Sequence, residues 1–133
     1  MLVAWNDEHA LGYDVIDAGH RLVIDAINRL NQCTGHHADR PVVGEVLQML
    51  DGQLARQFHH EEALMMVSRS RRLEAQRHEH RRMMDTLAHL RASFEAGQQV
   101  SSLLLLNLVA FLKSHLRGSD VEEFRDAPVR YAA

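Results

Sequence analysis

Apolar residues recur at helical spacing in four stretches of the chain. Within each stretch they are three or four residues apart, the period that places side chains on one face of an α-helix. The four predicted helices cover about residues 16–31, 41–67, 70–96 and 101–117. Pro41 suits the first turn of the second helix, and Gly97 is typical of the end of the third. Strand-type alternation of apolar and polar residues is nowhere sustained.

The short connections between these stretches predict how the helices pack. Consecutive helices joined by short loops become antiparallel neighbours, so we expect an all-α fold, an up-down-up-down four-helix bundle. Residues 1–15 are expected to form an irregular N-terminal arm, whose Trp5 and Tyr13 are available to pack on the bundle. No linker or internal repeat divides the chain, and its length suffices for one core. Residues 1–133 are therefore expected to form a single domain.

Each predicted apolar stripe is interrupted by side chains that can bind a metal or form hydrogen bonds. Read from the helical spacing, the inward polar residues are His20, Gln57, Glu61, Gln76, His80 and His115. Asp120 follows His115 by five residues, at the predicted helix end, where the chain could turn its carboxylate back toward the interior. A buried carboxylate without a partner is costly, whereas several such side chains offset the cost by sharing a cation. The pattern therefore predicts a metal site in the core.

Composition narrows the kind of metal. Ten histidines supply imidazole, whereas the single Cys33 supplies neither a thiolate cluster nor an internal disulfide. Imidazole and carboxylate ligands without thiolate suit iron, manganese or zinc, and they argue against copper(I) and iron–sulfur clusters. Two carboxylates and several imidazoles spread over four helices favour two metal ions over one.

Charge and hydropathy argue against two classes of partner. The net charge is −3, and the one basic patch, Arg69, Arg71 and Arg72, is short and lacks aromatic residues, so nucleic acid is not expected. No apolar run approaches the roughly 18 residues that cross a bilayer, so no membrane association is expected. The N-terminus lacks the basic start and apolar block of a signal peptide. We interpret the sequence as that of a cytoplasmic protein.

Four short motifs resemble those of bacterial hemerythrins. Residues 5–22 are similar to the family's opening motif W…G…ID..H..L, and residues 57–65, QFHHEEALM, to its motif HF..EE.LM. Residues 76–80 resemble the motif H..EH, and residues 111–120 the closing motif WL..H....D. Each motif alone is weak, but together they are specific, and they span nearly the whole chain.

The resemblance implies a non-heme diiron site inside the bundle. The family holds two iron ions with histidines and two carboxylates, and it binds dioxygen reversibly at an open position on one iron. Carried over position by position, His20, His80 and His115 would be terminal ligands. Glu61 and Asp120 would bridge the two irons, together with an oxo or hydroxo oxygen derived from solvent.

Two glutamines stand where the resemblance leads us to expect histidine. With Gln57 and Gln76 in those places, each iron would lose one imidazole. A glutamine can coordinate weakly through its carbonyl oxygen, or it can hydrogen-bond a water that fills the position. On regular helices the neighbouring His59, His60 and His78 point away from the site, so their substitution for the glutamines would need a distorted turn such as a π-bulge. The sequence leaves this choice open.

The altered ligand set favours a sensor of dioxygen or redox state over an oxygen carrier. Weak ligands open positions for water, and dioxygen or a small anion is the expected ligand. Family members also occur joined to signalling outputs, which makes an output domain or a partner protein an expected partner. A diiron oxidoreductase acting on peroxide, nitric oxide or oxygen is one alternative, disfavoured because no inward acid or base remains after the ligands are assigned. A metal-depleted interaction module is the other, and the retention of Glu61 and Asp120 argues against it.

Overall fold

Helices make up all the regular structure in the described part of the chain. The computed structural model describes residues 2–5, 10–33 and 39–125. The remaining residues, which include part of the predicted arm and the last part of the predicted domain, lie outside the described residues. The helices are α1 (Asp14–Asn31), α2 (Arg40–Val67), α3 (Leu73–Glu95) and α4 (Ser101–Phe111). The all-α fold class predicted from the apolar periodicity is confirmed.

The four helices pack in sequence as a bundle. Each of α1, α2 and α3 contacts the next helix along the chain, and α4 closes the bundle against α1. The predicted bundle is thereby confirmed. Its N-terminal arm is irregular where it is described, and the guanidinium of Arg21 lies 4.7 Å from the centre of the Trp5 ring. Within the described ranges, no helix combines the length and the apolar character needed to cross a membrane.

Residues in the left-handed region of the backbone end α2 and α3. Gly97 has φ +93°, and the amide of Gln98 donates to the Ser93 carbonyl at 3.0 Å. Glycine favours this conformation because it has no Cβ to clash with the preceding carbonyl, so the predicted stop signal acts as expected. Arg69 adopts φ +55° after α2. The third helix then begins at Leu73, three residues later than the sequence predicted.

The fourth helix runs further than the sequence predicted. Its end was expected near residue 117, but the chain continues from α4 into π-helical turns, Leu112–Ser119 and Val121–Arg125, which we call the π extension. A reason for this continuation is the burial of Phe124, which is 1% exposed and has its ring 5.8 Å from that of Tyr13. A helix that ended near Gly118 would lose this contact.

Two apolar clusters lie above and below a polar layer. The large cluster fills most of the bundle; among its members are Val23, Ile27, Leu30, Val46, Leu50, Leu54, Leu87, Leu90, Leu104 and Leu108. The small cluster consists of Leu11, Ile16, Met65 and Phe124. In the sequence of α1, His20 falls between the small cluster and the large one, and Glu61 does the same in α2. The inward polar residues are therefore enclosed by apolar side chains on both sides.

Candidate metal centre

The structure brings the five predicted ligand residues together in this enclosed layer. They come from three helices and the π extension: His20 from α1, Glu61 from α2, His80 from α3, and His115 and Asp120 from the π extension. None is more than 3% exposed. The helical period explains the convergence, because residues three or four positions from core leucines and isoleucines share their face.

His80, His115 and Glu61 form the tightest group. The Nε2 atoms of the two imidazoles lie 3.1 Å apart, and they are 3.6 Å and 3.7 Å from Glu61 Oε1. One ligand atom from each residue lies within 4.8 Å of the others. Metal–ligand bonds of about 2.0–2.2 Å would let one cation contact all three with only small adjustments. These residues could therefore hold a metal ion.

The outer nitrogen of each imidazole is held by a carboxylate. His80 Nδ1 donates to Glu62 Oε2 at 2.8 Å, and His115 Nδ1 donates to Glu79 Oε2 at 3.2 Å. Since an ionised carboxylate only accepts hydrogen bonds, it favours the tautomer that carries its proton on Nδ1. In the neutral form of each ring, which is the form that binds metals, the Nε2 lone pair then points toward Glu61.

No role was predicted for Glu62 and Glu79 from the sequence. Each directly adjoins a ligand candidate, and each is only about one quarter to one third exposed at its side chain, at 26% and 34% respectively. Hydrogen bonding to His115 is the main reason why the pKa of Glu79 lies below its usual value. The Ser119 hydroxyl donates to Glu79 Oε1 at 3.0 Å and helps to fix it. The available signal was a glutamate directly beside a ligand candidate in the sequence, Glu62 after Glu61 and Glu79 before His80.

The π extension is what aims Asp120 into the layer. On an α-helix, residues five apart differ by about 140° in direction. In the π extension the amide of Asp120 donates to the carbonyl of His115, five residues earlier, which brings the two residues to the same side. From the sequence, the helix was expected to end near Asp120, so that a turn of the chain could direct its carboxylate inward. That explanation is wrong, since the helix does not end there.

Asp120 joins three of the other polar residues. Its Oδ2 accepts a hydrogen bond from His20 Nε2 at 2.9 Å, and its Oδ1 accepts one from Gln76 Nε2 at 3.1 Å. The same Oδ1 lies 3.2 Å from His115 Nε2. The carboxylate is fully buried and has an imidazole on each side, which is an arrangement that allows it to contact two cations at once.

The charged side chains inside the layer shift one another's pKa values. Burial raises the pKa of Asp120 to about 7, and the negative charge of Glu61 adds to the effect. Burial alone would also raise the pKa of Glu61, but the imidazoles of His115 and His80, 3.7 Å and 3.6 Å from its Oε1, outweigh this effect and hold the pKa below the usual range. Burial would lower the pKa of His115, yet Asp120 and Glu61 raise it to about 10. The carboxylates thus hold positive charge in the core, a role that a cation can take over from protons.

Gln57 and Gln76 are both buried in the same layer, each 1% exposed. Gln57 lies so close to Gly19 that a Cβ at position 19 would overlap its amide, and neither amide atom has a hydrogen-bond partner. Gln76 donates to Asp120, while its Oε1 has no partner. Both glutamines therefore keep a carbonyl oxygen available for a cation.

The structure does not bring the three neighbouring histidines to the layer. α2 and α3 are regular α-helices at these positions, and His59 and His78 are exposed while His60 is half-buried. The distorted turn that would have redirected them is absent from α2 and α3, both of which lie wholly in the described ranges. The π-helical distortion instead occurs after α4, where it redirects Asp120.

The buried donor atoms fit a metal ion. Both oxygens of Glu61, both amide atoms of Gln57 and the oxygen of Gln76 are buried without a hydrogen-bond partner. Unpaired buried acceptors are costly, and a carboxylate is the costliest of them. A cation among these oxygens and the imidazole nitrogens would satisfy them together, so the arrangement fits a metal site in the core of a helical bundle.

Comparison with known proteins also indicates a helical protein that binds a cation. Residues 11–125 match the family model described as Hemerythrin HHE cation binding domain. Because the match covers most of the chain, the chain belongs to the hemerythrin HHE cation-binding family. The resemblance predicted from the four sequence motifs is thereby confirmed.

The relatives of the chain carry the name bacteriohemerythrin. The chain is 32% identical over 119 residues to a bacteriohemerythrin of Stenotrophomonas maltophilia (strain R551-3). The aligned region covers 90% of this chain and 77% of the relative. It is 26% identical over 118 residues to a bacteriohemerythrin of Pseudomonas aeruginosa (strain LESB58), covering 89% of this chain and 76% of the relative. A bacteriohemerythrin of Pseudomonas paraeruginosa (strain DSM 24068 / PA7) is equally similar, at 26% over 118 residues.

We expect Glu79→Ala to weaken iron(II) binding by about 10- to 100-fold, because His115 would lose the partner that fixes its tautomer and orientation. Glu79→Gln should lose less, since its amide oxygen can still accept from Nδ1. The affinities would be measured under argon by competition with a chromophoric chelator. Glu74→Ala is the matched control, because the exposed Glu74 on the same helix pairs with no described residue other than Arg77. Equal affinities for Glu79→Ala and Glu74→Ala would contradict this role.

Proposed function

We propose that this protein holds two non-heme iron ions in its core and uses them to bind or sense dioxygen or redox state. The observation that carries the proposal is the convergence of two carboxylate-anchored imidazoles on the buried carboxylate of Glu61, whose oxygens have no hydrogen-bond partner. Bound ferrous iron would supply the capacity to take up dioxygen or to be oxidised by it. Membership in a cation-binding family and the bacteriohemerythrin relatives support the same interpretation.

In this proposal each buried residue has a separate role. His80 and His115 would hold one iron, and His20 would hold the other. Glu61 and Asp120 would be shared between the two, which is supported by the contacts of Asp120 with both His20 and His115. Gln57 and Gln76 are weak ligands or line the pocket, offering carboxamide oxygens where imidazoles would bind iron more strongly.

The proposed role is that of a sensor more than that of a carrier. Because glutamines stand in place of two imidazoles, water or a weak donor would fill one more position on each iron. This favours fast oxidation of the iron over stable storage of dioxygen. A cleft of about 270 Å³ between α1 and α2 reaches Gln57 and offers dioxygen or a small anion a route inward. Arg56 lines this cleft and favours anions there. A partner protein or a signalling output domain would respond to the change in oxidation state.

Rapid mixing of the ferrous protein with dioxygen tests this function. The iron of the loaded protein, prepared under argon, is expected to oxidise on its first exposure to dioxygen. The protein is not expected to release dioxygen when the oxygen pressure is lowered again. Visible absorption and an oxygen electrode would follow the reaction. Reversible uptake of dioxygen over repeated cycles would show that the protein is a carrier. Failure to retain any iron would exclude the diiron function altogether.

A further inference from the structure

The two ends of the buried layer differ in their donor atoms. At one end lie Glu61, His80 and His115, which we call the imidazole-rich position. At the other end lie His20 and Gln57, whose amide packs against Gly19, the residue before His20; we call this end the carboxamide position. Asp120 lies between the two and contacts His115 with one oxygen and His20 with the other. The two positions therefore share a carboxylate but otherwise offer a cation unequal sets of ligands.

Contacts within the protein fix the side chains of the imidazole-rich position. Its three ligand atoms, from Glu61, His80 and His115, already lie within 4.8 Å of one another. Hydrogen bonds to Glu62 and Glu79 fix the direction of both imidazole rings. The ring of His80 is also stacked on Phe58 at 3.9 Å with an interplanar angle of 5°. Binding a cation here requires little ordering of side chains, and this preorganisation favours high affinity.

The carboxamide position is organised much less. It supplies one imidazole, and the Nε2 of that imidazole is engaged with Asp120 at 2.9 Å. Among the residues that the structure describes, no carboxylate holds the outer nitrogen of His20 as Glu62 holds that of His80. Gln57 supplies a neutral oxygen, and neither of its amide atoms is fixed by a hydrogen bond. A cation here would meet one imidazole and a neutral carboxamide oxygen, a weaker donor set than two imidazoles with the carboxylate of Glu61.

We propose that the two positions fill in sequence, with one divalent transition-metal ion held tightly at the imidazole-rich position and a second held weakly and exchangeably at the carboxamide position. The proposal rests on the proposed function, because it assumes that the core binds metal. One imidazole with carboxamide and carboxylate oxygens is a donor set that suits manganese as well as iron. The exchangeable position therefore accepts Mn²⁺ as well as Fe²⁺.

Anaerobic titration of the metal-free protein tests this order of filling. Fe²⁺ would be added in competition with a chromophoric chelator, and native mass spectrometry would count the ions on each chain. We expect two binding steps whose affinities differ by at least about 100-fold, a gap of roughly 2.8 kcal/mol at 1.4 kcal/mol per tenfold. Brief passage through a chelating resin should remove the second ion and leave the first. With the first ion in place, Mn²⁺ should fill the second position.

Gln57→His provides the sharpest variant. Gly19 leaves space beside residue 57, and an imidazole there is expected to raise the affinity of the second step at least tenfold while leaving the first unchanged. Gln57→Ala, the matched control, should not raise it.

Circular dichroism would verify that each variant folds. If Gln57→His does not fold, His20→Ala replaces it, and this variant should abolish only the second step. Two equal steps in the wild type, or a second step unchanged in folded Gln57→His, would overturn the proposal. Absence of any bound metal would overturn the proposed function as well, so the two failures are distinguishable.

Discussion

Replacing His80 with alanine is expected to lower the affinity for iron(II) by on the order of 100-fold or more, exceeding the 10- to 100-fold typical of residues that only orient a ligand. The Nε2 atom of His80 is 3.1 Å from that of His115 and 3.6 Å from Glu61. Its loss would therefore leave only two of the three donors of this group. Competition with a chelator under argon would measure the change. The ring also stacks on Phe58, so the free energy of unfolding of the metal-free variant should be measured in parallel.

His78→Ala is the matched control for this variant. It removes the same kind of side chain from the same helix, two residues earlier, where the imidazole is exposed. We expect its iron affinity to equal that of the wild type. The assignment of His80 fails if both variants lose the same affinity, because binding would then depend on the number of histidines and not on their position. It also fails if His80→Ala binds iron as tightly as the wild type.

Replacing Glu61 with glutamine is expected to abolish most of the stability that iron adds. A ligand that binds only the folded state stabilises it by about 2.7 kcal/mol at 100 times Kd and by about 4.1 kcal/mol at 1,000 times Kd. The wild type should therefore gain about 3–4 kcal/mol under such conditions. Glu61→Gln keeps the size of the side chain but removes the charge that contacts both His80 and His115, and it should gain less than about 1 kcal/mol.

Denaturant-induced unfolding of each protein with and without iron measures this difference. Comparing the gain within each variant separates metal binding from any effect of the substitution on the metal-free fold. Glu45→Gln is a suitable control, because Glu45 is exposed on the same helix and pairs only with Arg29. Its gain should match that of the wild type. A full gain in Glu61→Gln would mean that Glu61 is a structural core residue and not a metal ligand.

The helical periodicity was sufficient to predict the bundle but not the π extension. Apolar spacing of three and four residues predicts an α-helix and its buried face, and this held for α1, α2 and α3. The π extension depends on a change from i→i+4 to i→i+5 hydrogen bonds, which that spacing does not encode. The five-residue separation of His115 and Asp120 was the one available signal, since both side chains point inward although an α-helix would separate them.

The same spacing brought the candidate ligands to one layer but missed what holds them. His20, Glu61, His80 and His115 were identified as inward residues because they continue apolar stripes. Glu62 and Glu79 lie beside those stripes and are partly exposed, so periodicity alone classes them as surface residues. Their role follows only from the direction of each imidazole ring, and a ring's direction is set by contacts between helices that a single sequence does not reveal.

The metal content of the protein tests the central claim most directly. The metal-free protein would be incubated with Fe²⁺ under argon, desalted, and analysed for iron per chain by elemental analysis. We predict that at least one iron ion per chain remains on the wild type, and that Glu61→Gln retains far less. A folded wild type that retains no iron, and no other transition metal offered in its place, would contradict the claim that the buried imidazoles and carboxylates form a metal centre.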